Sequence, residues 1–224
     1  MKSTKSKMLM LLAAFMLAMF SVAQADTIVL VTAPQVGAFT VDWSQLGAAG
    51  AVLPHAFVAI GSNGDTATGS FATPTTNKGE LVQQGTDWSG NFAAGEYAVW
   101  TTNHGPFTVS FGNSYNFVGA YVQQNTHGPF TMKLVLFNGS TVLGTVSESG
   151  VSDTNVGTAI FIGAKDKTGP NITKVIFEET SGTNLKDFAV ATLYYGAVPE
   201  PGTLVLLGSG LIGLAGLARR RKSK

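Results

Sequence analysis

Phe130-Thr131-Met132-Lys133-Leu134-Val135-Leu136-Phe137-Asn138-Gly139-Ser140-Thr141-Val142-Leu143-Gly144-Thr145-Val146 is the stretch that decides the fold. Two strand-like runs, Phe130–Phe137 and Ser140–Val146, are separated by Asn138-Gly139. Asn-Gly between such runs signals a tight hairpin, because both residues tolerate φ > 0 in a type I′ turn. The reading is therefore antiparallel β at the centre of the chain.

Working outward, the same texture continues on both sides. Phe107, Val109 and Phe111 alternate with Thr108 and Ser110, which marks a half-buried strand. Tyr115–Gln123 places Tyr115, Phe117 and Tyr121 on one side and Val118, Ala120 and Val122 on the other. Tyr97–Thr101, Ala159–Gly163, Ile172–Glu179 and Asp187–Tyr195 add further strands. Gly169-Pro170-Asn171 and Ser181-Gly182-Thr183-Asn184 supply turns between the last of them. Toward the N-terminus, Thr27–Thr32, Gly37–Trp43 and Ala56–Ile60 read as strands, with a helical turn at Ser44–Leu46. Gly61–Thr76 is rich in Gly, Ser, Thr, Asn and Asp, and reads as a long surface loop around a short strand at Phe71. No window carries a 3.6-residue apolar stripe of helix length. The fold class is all-β, an antiparallel two-sheet sandwich or jelly roll of about ten short strands.

The ends of the chain are different in kind. Lys2, Lys5 and Lys7 precede an unbroken apolar run, Met8–Phe20, and Ala23-Gln24-Ala25 offers a small-x-small cleavage site. Residues 1–25 read as a secretory signal peptide, leaving Asp26 as the first mature residue. At the other end, Pro199-Glu200-Pro201 precedes an uncharged apolar span, Gly202–Ala218, and then Arg219, Arg220, Arg221, Lys222 and Lys224. Seventeen helical residues reach about 26 Å, close to the hydrocarbon core of a bilayer. The basic cluster would stay on the cytoplasmic side, with the rest of the chain outside.

This three-part tail, Val198–Lys222, resembles the PEP-CTERM sorting signal of bacteria that make exopolysaccharide. The resemblance implies a membrane-embedded peptidase, exosortase, as processing partner. It would read Pro199, Glu200 and Pro201, while Arg219, Arg220 and Arg221 fix topology. An ordinary single-span anchor is the alternative, and the sorting tail is the reading favoured. The domains are thus a signal peptide (1–25), a β-sandwich (26–197) and a sorting tail (198–224), with the transmembrane helix at 202–218 and the basic cluster at 219–224. The sandwich in turn resembles uncharacterised exported proteins bearing the same tail, through Gly95–Thr101, Phe137-Asn138-Gly139, Ala159–Gly163 and Asp187–Val190. Localisation would run through the inner membrane by way of the translocon, with transient anchoring, to the cell surface or beyond.

Residues 26–197 hold six lysines against twelve acids, a net charge of −6, and the chain has no cysteine. An acidic domain has no electrostatic reason to bind nucleic acid. Without cysteine, the fold stands on packing alone, and thiol catalysis and thiolate metal sites are excluded.

Sites of chemistry are sparse. The only histidines are His55, His104 and His127, the last two in an echo, His104-Gly105-Pro106-Phe107-Thr108 and His127-Gly128-Pro129-Phe130-Thr131. Each Gly-Pro reads as a turn that opens a strand. No metal-ligand spacing surrounds the histidines, and Asp65, Asp87, Asp153 and Asp166 read as solvated loop carboxylates. Glu178 and Glu179 are neighbours in a strand and would face opposite ways. No catalytic residue, metal or cofactor is expected. Trp43, Trp88, Trp100, Tyr194 and Tyr195 could stack on sugar rings if exposed, and Trp88, between Asp87 and Ser89, is the one expected at the surface and the candidate carbohydrate contact. The resulting expectation is a non-enzymatic structural or matrix-associated surface protein linked to exopolysaccharide or biofilm. The alternative is a carbohydrate-binding module for that polymer.

Overall fold

The structure, a computed structural model, describes residues 27–72 and 79–196. In chain order the strands are β1 (Ile28–Val31), β2 (Phe39–Val41), β3 (Ala51–Leu53), β4 (Ala56–Ile60), β5 (Thr66–Phe71), β6 (Gly79–Gln83), β7 (Tyr97–Trp100), β8 (Phe107–Tyr115), β9 (Phe117–Gln124), β10 (Gly128–Asn138), β11 (Thr141–Ser152), β12 (Ile160–Asp166), β13 (Ile172–Ser181) and β14 (Phe188–Gly196). A 3-10 turn, Trp43–Leu46, follows β2 and is capped by the Asp42 side chain, which accepts from the Ser44 N–H.

The strands form two sheets. One runs β1-β12-β9-β14-β7-β6-β3, with β2 added on β14, and the other runs β11-β10-β13-β8-β5-β4. Every strand pair in both is antiparallel. One stretch of β14, Ala189–Val190, pairs with β7 and another, Leu193–Tyr195, with β2, the register shifting between Val190 and Leu193. The expected two-sheet arrangement is present, with fourteen strands among the described residues rather than about ten.

The core is filled from the inward faces of both sheets. In β10, Phe130, Met132, Leu134 and Leu136 are buried and alternate with Thr131, Lys133 and Val135. They meet Val118, Ala120, Val122, Ile162, Phe188 and Val190 of the other sheet within one cluster. At its centre Trp43, Phe57, Phe71, Phe107 and Phe177 pack ring against ring, with Phe107 within 6.3 Å of each of the other four.

The central hairpin forms one residue later than its Asn-Gly signal implies. Asn138 pairs with Thr141, so the loop is Gly139-Ser140, and Gly139 alone takes a positive φ, +59°. Glycine first in a two-residue loop is the type II′ pattern. A bulge compensates: Leu136 faces Gly144 and Phe137 faces Val142, leaving Leu143 extra on β11.

Other local readings are corrected too. Residues 66–71 form a strand, not a loop, with Ala67, Gly69 and Phe71 turned inward. Gly128-Pro129 lies within β10, opposite Ser152 and Val151, so only the first Gly-Pro of the echo precedes its strand. Asp166 is fully buried, accepting from the Thr168 N–H and Oγ1 and from Asn171 Nδ2. The signal peptide, tripeptide, transmembrane span and basic cluster all lie outside the described residues. No helix among the described residues is long and apolar enough to cross a membrane.

Candidate functional site: a tyrosine-lined groove on the larger sheet

The larger sheet also buries part of its outer face. The segment between β6 and β7 folds back over it, and Val82, Trp88, Phe92, Ala98, Ala189 and Ala191 form a second apolar cluster there. Trp88 is therefore not the exposed aromatic its polar neighbours suggest. It is 6% exposed, packs on Trp100 at 5.8 Å and Phe92 at 6.2 Å, and donates Nε1–H to Gln123 Oε1 at 3.2 Å. A buried indole needs an acceptor, and Gln123, projecting from β9, supplies it.

Gln123 is the pin of this arrangement. Its Oε1 also accepts the Asn91 N–H at 2.7 Å, and its Nε2 donates to Ser152 Oγ at 2.9 Å. Asn91 in turn donates to Asp153 Oδ1 and Thr158 Oγ1 at 2.5 and 2.7 Å and accepts the Asp153 N–H at 2.8 Å. The covering segment is thereby tied both to the sheet and to the loop after β11.

Between this segment and the sheet runs a cavity of about 410 Å³, lined by Asn91, Glu96, Tyr121, Ala159, Thr192 and Tyr194 among others. Tyr121 and Tyr194 are half-buried and stand edge to face at 6.2 Å. Both lean on Phe161, at 5.2 and 5.8 Å, which itself stacks on Phe117. Burial, then the charge of Glu96, then Tyr121 push the Tyr194 phenol up from its ordinary value, so it is a hydrogen-bond donor at neutral pH. Glu96 accepts the Ala93 N–H at 3.2 Å. The side-chain amide of Asn91 is spent on Asp153 and Thr158, so the groove offers two aromatic rings, the Glu96 carboxylate and the Thr192 hydroxyl.

Of the aromatics considered from sequence, Trp43 and Tyr195 are core, Trp88 is buried, and Trp100 donates to Asp187 Oδ1 at 2.6 Å. Tyr194 alone lines the groove. Nothing in the local sequence around Tyr121, Glu96 or Asn91 marks them as site residues. The one hint for Tyr121 is its place opposite Val118 and Val122 on β9, on the face now seen to be the outer one.

The histidines do not assemble. His127 is exposed, His104 Nδ1 pairs with Thr102 Oγ1 at 3.2 Å, and His55 lies on the loop before β4. No three His, Asp or Glu side chains gather as a metal-binding group among the described residues. Asp65, Asp87 and Asp153 are engaged by donors of their own turns or neighbours. Glu178 and Glu179 do face opposite ways: Glu178 pairs with Lys133 at 2.8 Å, while Glu179 is buried.

Residues 197–222 match the PEP-CTERM protein-sorting motif. The chain carries a PEP-CTERM sorting tail. The PEP-CTERM match spans Pro199, Glu200, Pro201 and Arg219–Arg221, the residues to which the resemblance assigned recognition and topology. A PEP-CTERM motif implies processing by exosortase, and with it export. Neither the curated proteins nor the solved structures compared with this chain include a significant match.

Proposed function

We propose that this chain is a non-enzymatic, exosortase-sorted β-sandwich of the cell surface or extracellular matrix, and that it contacts exopolysaccharide through the groove of Tyr121 and Tyr194. The observation that carries the polysaccharide contact is the concave site itself, in which two tyrosines and Glu96 converge beside a pinned loop. Glu96 is the one carboxylate lining it, whereas glycoside hydrolysis ordinarily uses a pair flanking the bond, which supports binding over cleavage. A carboxylate there, in a domain of net charge −6, also favours a neutral sugar over a uronic acid.

The test is a glycan array probed with the full chain in detergent. Binding to neutral polysaccharides is expected, weakened more than about tenfold by Tyr194→Ala or Tyr121→Ala, a loss of about 1.4 kcal/mol. Failure to bind any neutral or acidic polysaccharide would sink the polymer contact.

A further inference from the structure

Three loops meet at one end of the sandwich: 101–106, 125–127 and 182–187. Thr101 Oγ1–H and the Gly105 N–H both donate to the Lys186 carbonyl, at 2.6 and 3.1 Å, and the Asn125 N–H donates to the Asp187 carbonyl at 2.9 Å. The side chains of Asn184 and Asn103 are also bonded. Close by, Glu179 follows Val175 and Phe177 on the core-facing side of β13.

Three carboxylates are buried among the described residues: Asp166, Asp187 and Glu179. Asp166 is satisfied by its own turn, and Asp187 accepts from Trp100 Nε1 and Asn125 Nδ2. Glu179 is 3% exposed, and neither of its oxygens has a hydrogen-bond partner. A buried carboxylate without a donor is costly, and burial with the nearby charge of Asp187 pushes Glu179 up to about 8.

What faces it is another acceptor. Gln124 ends β9 and is oriented at both atoms: Nε2 donates to the Gly128 carbonyl at 3.1 Å, and Oε1 accepts the Thr183 N–H at 3.3 Å. A Cβ placed on Gly182 would lie 1.9 Å from Glu179 Oε1 and 2.5 Å from Gln124 Oε1, so the two oxygens are at most the sum of these apart, 4.4 Å. Two oxygens sharing a calcium ion at 2.3–2.6 Å can be no more than about 5 Å apart. Gly182, which closes over both oxygens, holds φ at +158° and is itself exposed, while the Glu179 oxygens beneath it are shielded from solvent.

We propose that Glu179 and Gln124 form a binding site for calcium at this end of the sandwich, with Asp187 supplying negative field and water completing the shell. An all-oxygen donor set selects a hard cation over zinc or copper. A carboxylate with both oxygens free suits the flexible, high-coordination shell of calcium better than the strict octahedron of magnesium. Calcium would fasten the 182–187 loop to β9 and β13, and through Asp187 to Trp100.

Terbium provides the direct test, because Trp100 sits on Asp187 and can sensitise its emission. The full chain in detergent, stripped with EDTA, should show one saturable terbium site that calcium displaces and equimolar magnesium does not. Glu179→Gln should weaken binding more than about tenfold. Glu178→Gln, the outward-facing neighbour, should leave it unchanged. Gln124→Glu adds a second carboxylate and should tighten calcium binding, which keeps the proposal testable if Glu179→Gln folds poorly. Calcium should also raise the melting temperature of the wild type. If terbium does not saturate, if Glu179→Gln binds as the wild type does, or if calcium leaves the melting temperature unmoved, Glu179 simply holds a proton and the site is refuted. Each of these outcomes is independent of glycan binding.

Discussion

Gly119 and Gly163 face each other across β9 and β12, and the Phe161 ring lies over the gap between them. A Cβ on Gly119 would stand 2.6 Å from that ring and 2.7 Å from the Gly163 Cα, the second of which is backbone and cannot rotate away. Gly119→Ala should therefore cost about 1–3 kcal/mol, read as a lowered denaturation midpoint. Because Phe161 supports both Tyr121 and Tyr194, the same substitution should weaken glycan binding beyond what the stability loss explains. A second residue-scale expectation concerns ionisation. Burial, then Tyr115, then Asp65 push the Tyr195 phenol up to about 12, and burial followed by its bond to Asp65 raises Tyr115. An acid whose folded value is raised contributes stability that is complete below its unfolded value, near 10 for tyrosine, and is lost above it. Absorbance at 295 nm should show Tyr195 still protonated at pH 10 in the folded protein, with Tyr115 and Tyr194 ionising later than an exposed tyrosine does. Ionisation of Tyr195 in a folded chain near pH 10 would contradict the burial described here.

At the scale of elements, the segment between β6 and β7 depends on one amide. Gln123→Leu would strip acceptors from the Trp88 indole and the Asn91 N–H at once. Leaving such buried groups unpaired costs about 1–3 kcal/mol each. The expected outcome is a large loss of stability with faster amide exchange in residues 88–94, measured by hydrogen exchange. Unchanged protection there would mean that apolar packing alone holds the segment. This element also marks the limit of what the sequence discloses. The strand Phe130–Leu136 is legible because its inward residues are large and apolar. The strand 66–71 is not, because two of its three inward residues are Ala67 and Gly69, and the space above Gly69 is filled by the Phe57 ring, 2.5 Å from where a Cβ would be. Gly79 yields to Phe71 in the same way, at 2.1 Å. Which ring fills which glycine's space is a property of pairing, not of either segment. Trp88 is hidden for a related reason: its local context is polar, and its partner Gln123 is 35 residues away. Tyr121 and Tyr194 are legible as strand aromatics, but the groove exists only because 84–96 folds over part of that face.

At the scale of the whole molecule, the chain is an acidic sandwich between two segments that hold eight of its fourteen basic residues. The tail is the part where order and spacing alone sufficed, since the tripeptide, apolar span and arginine cluster are a linear code that needs no tertiary contact to be read. Its function can be separated from that of the sandwich. Proline fixes its own φ and disfavours the helical region for the residue before it, so a sequence such as Pro199-Glu200-Pro201 is a poor continuation of a helix and suits recognition by a peptidase. Glu200 is the one charge between the sandwich and the basic cluster from residue 197 onward, and would meet a peptidase at the outer end of the span. Glu200→Ala should leave export and glycan binding intact but block removal of the tail, so that the protein stays in the inner membrane. Replacing Arg219, Arg220 and Arg221 should fail differently, by loosening orientation rather than by blocking cleavage. Fractionation of cells that carry exosortase, with mass spectrometry of both chain ends, distinguishes the two. Wild type should begin at Asp26 and end near the tripeptide, whereas Glu200→Ala should begin at Asp26 and keep Lys224. Equal release of both proteins with the same shortened C-terminus would show that the peptidase reads something other than Glu200.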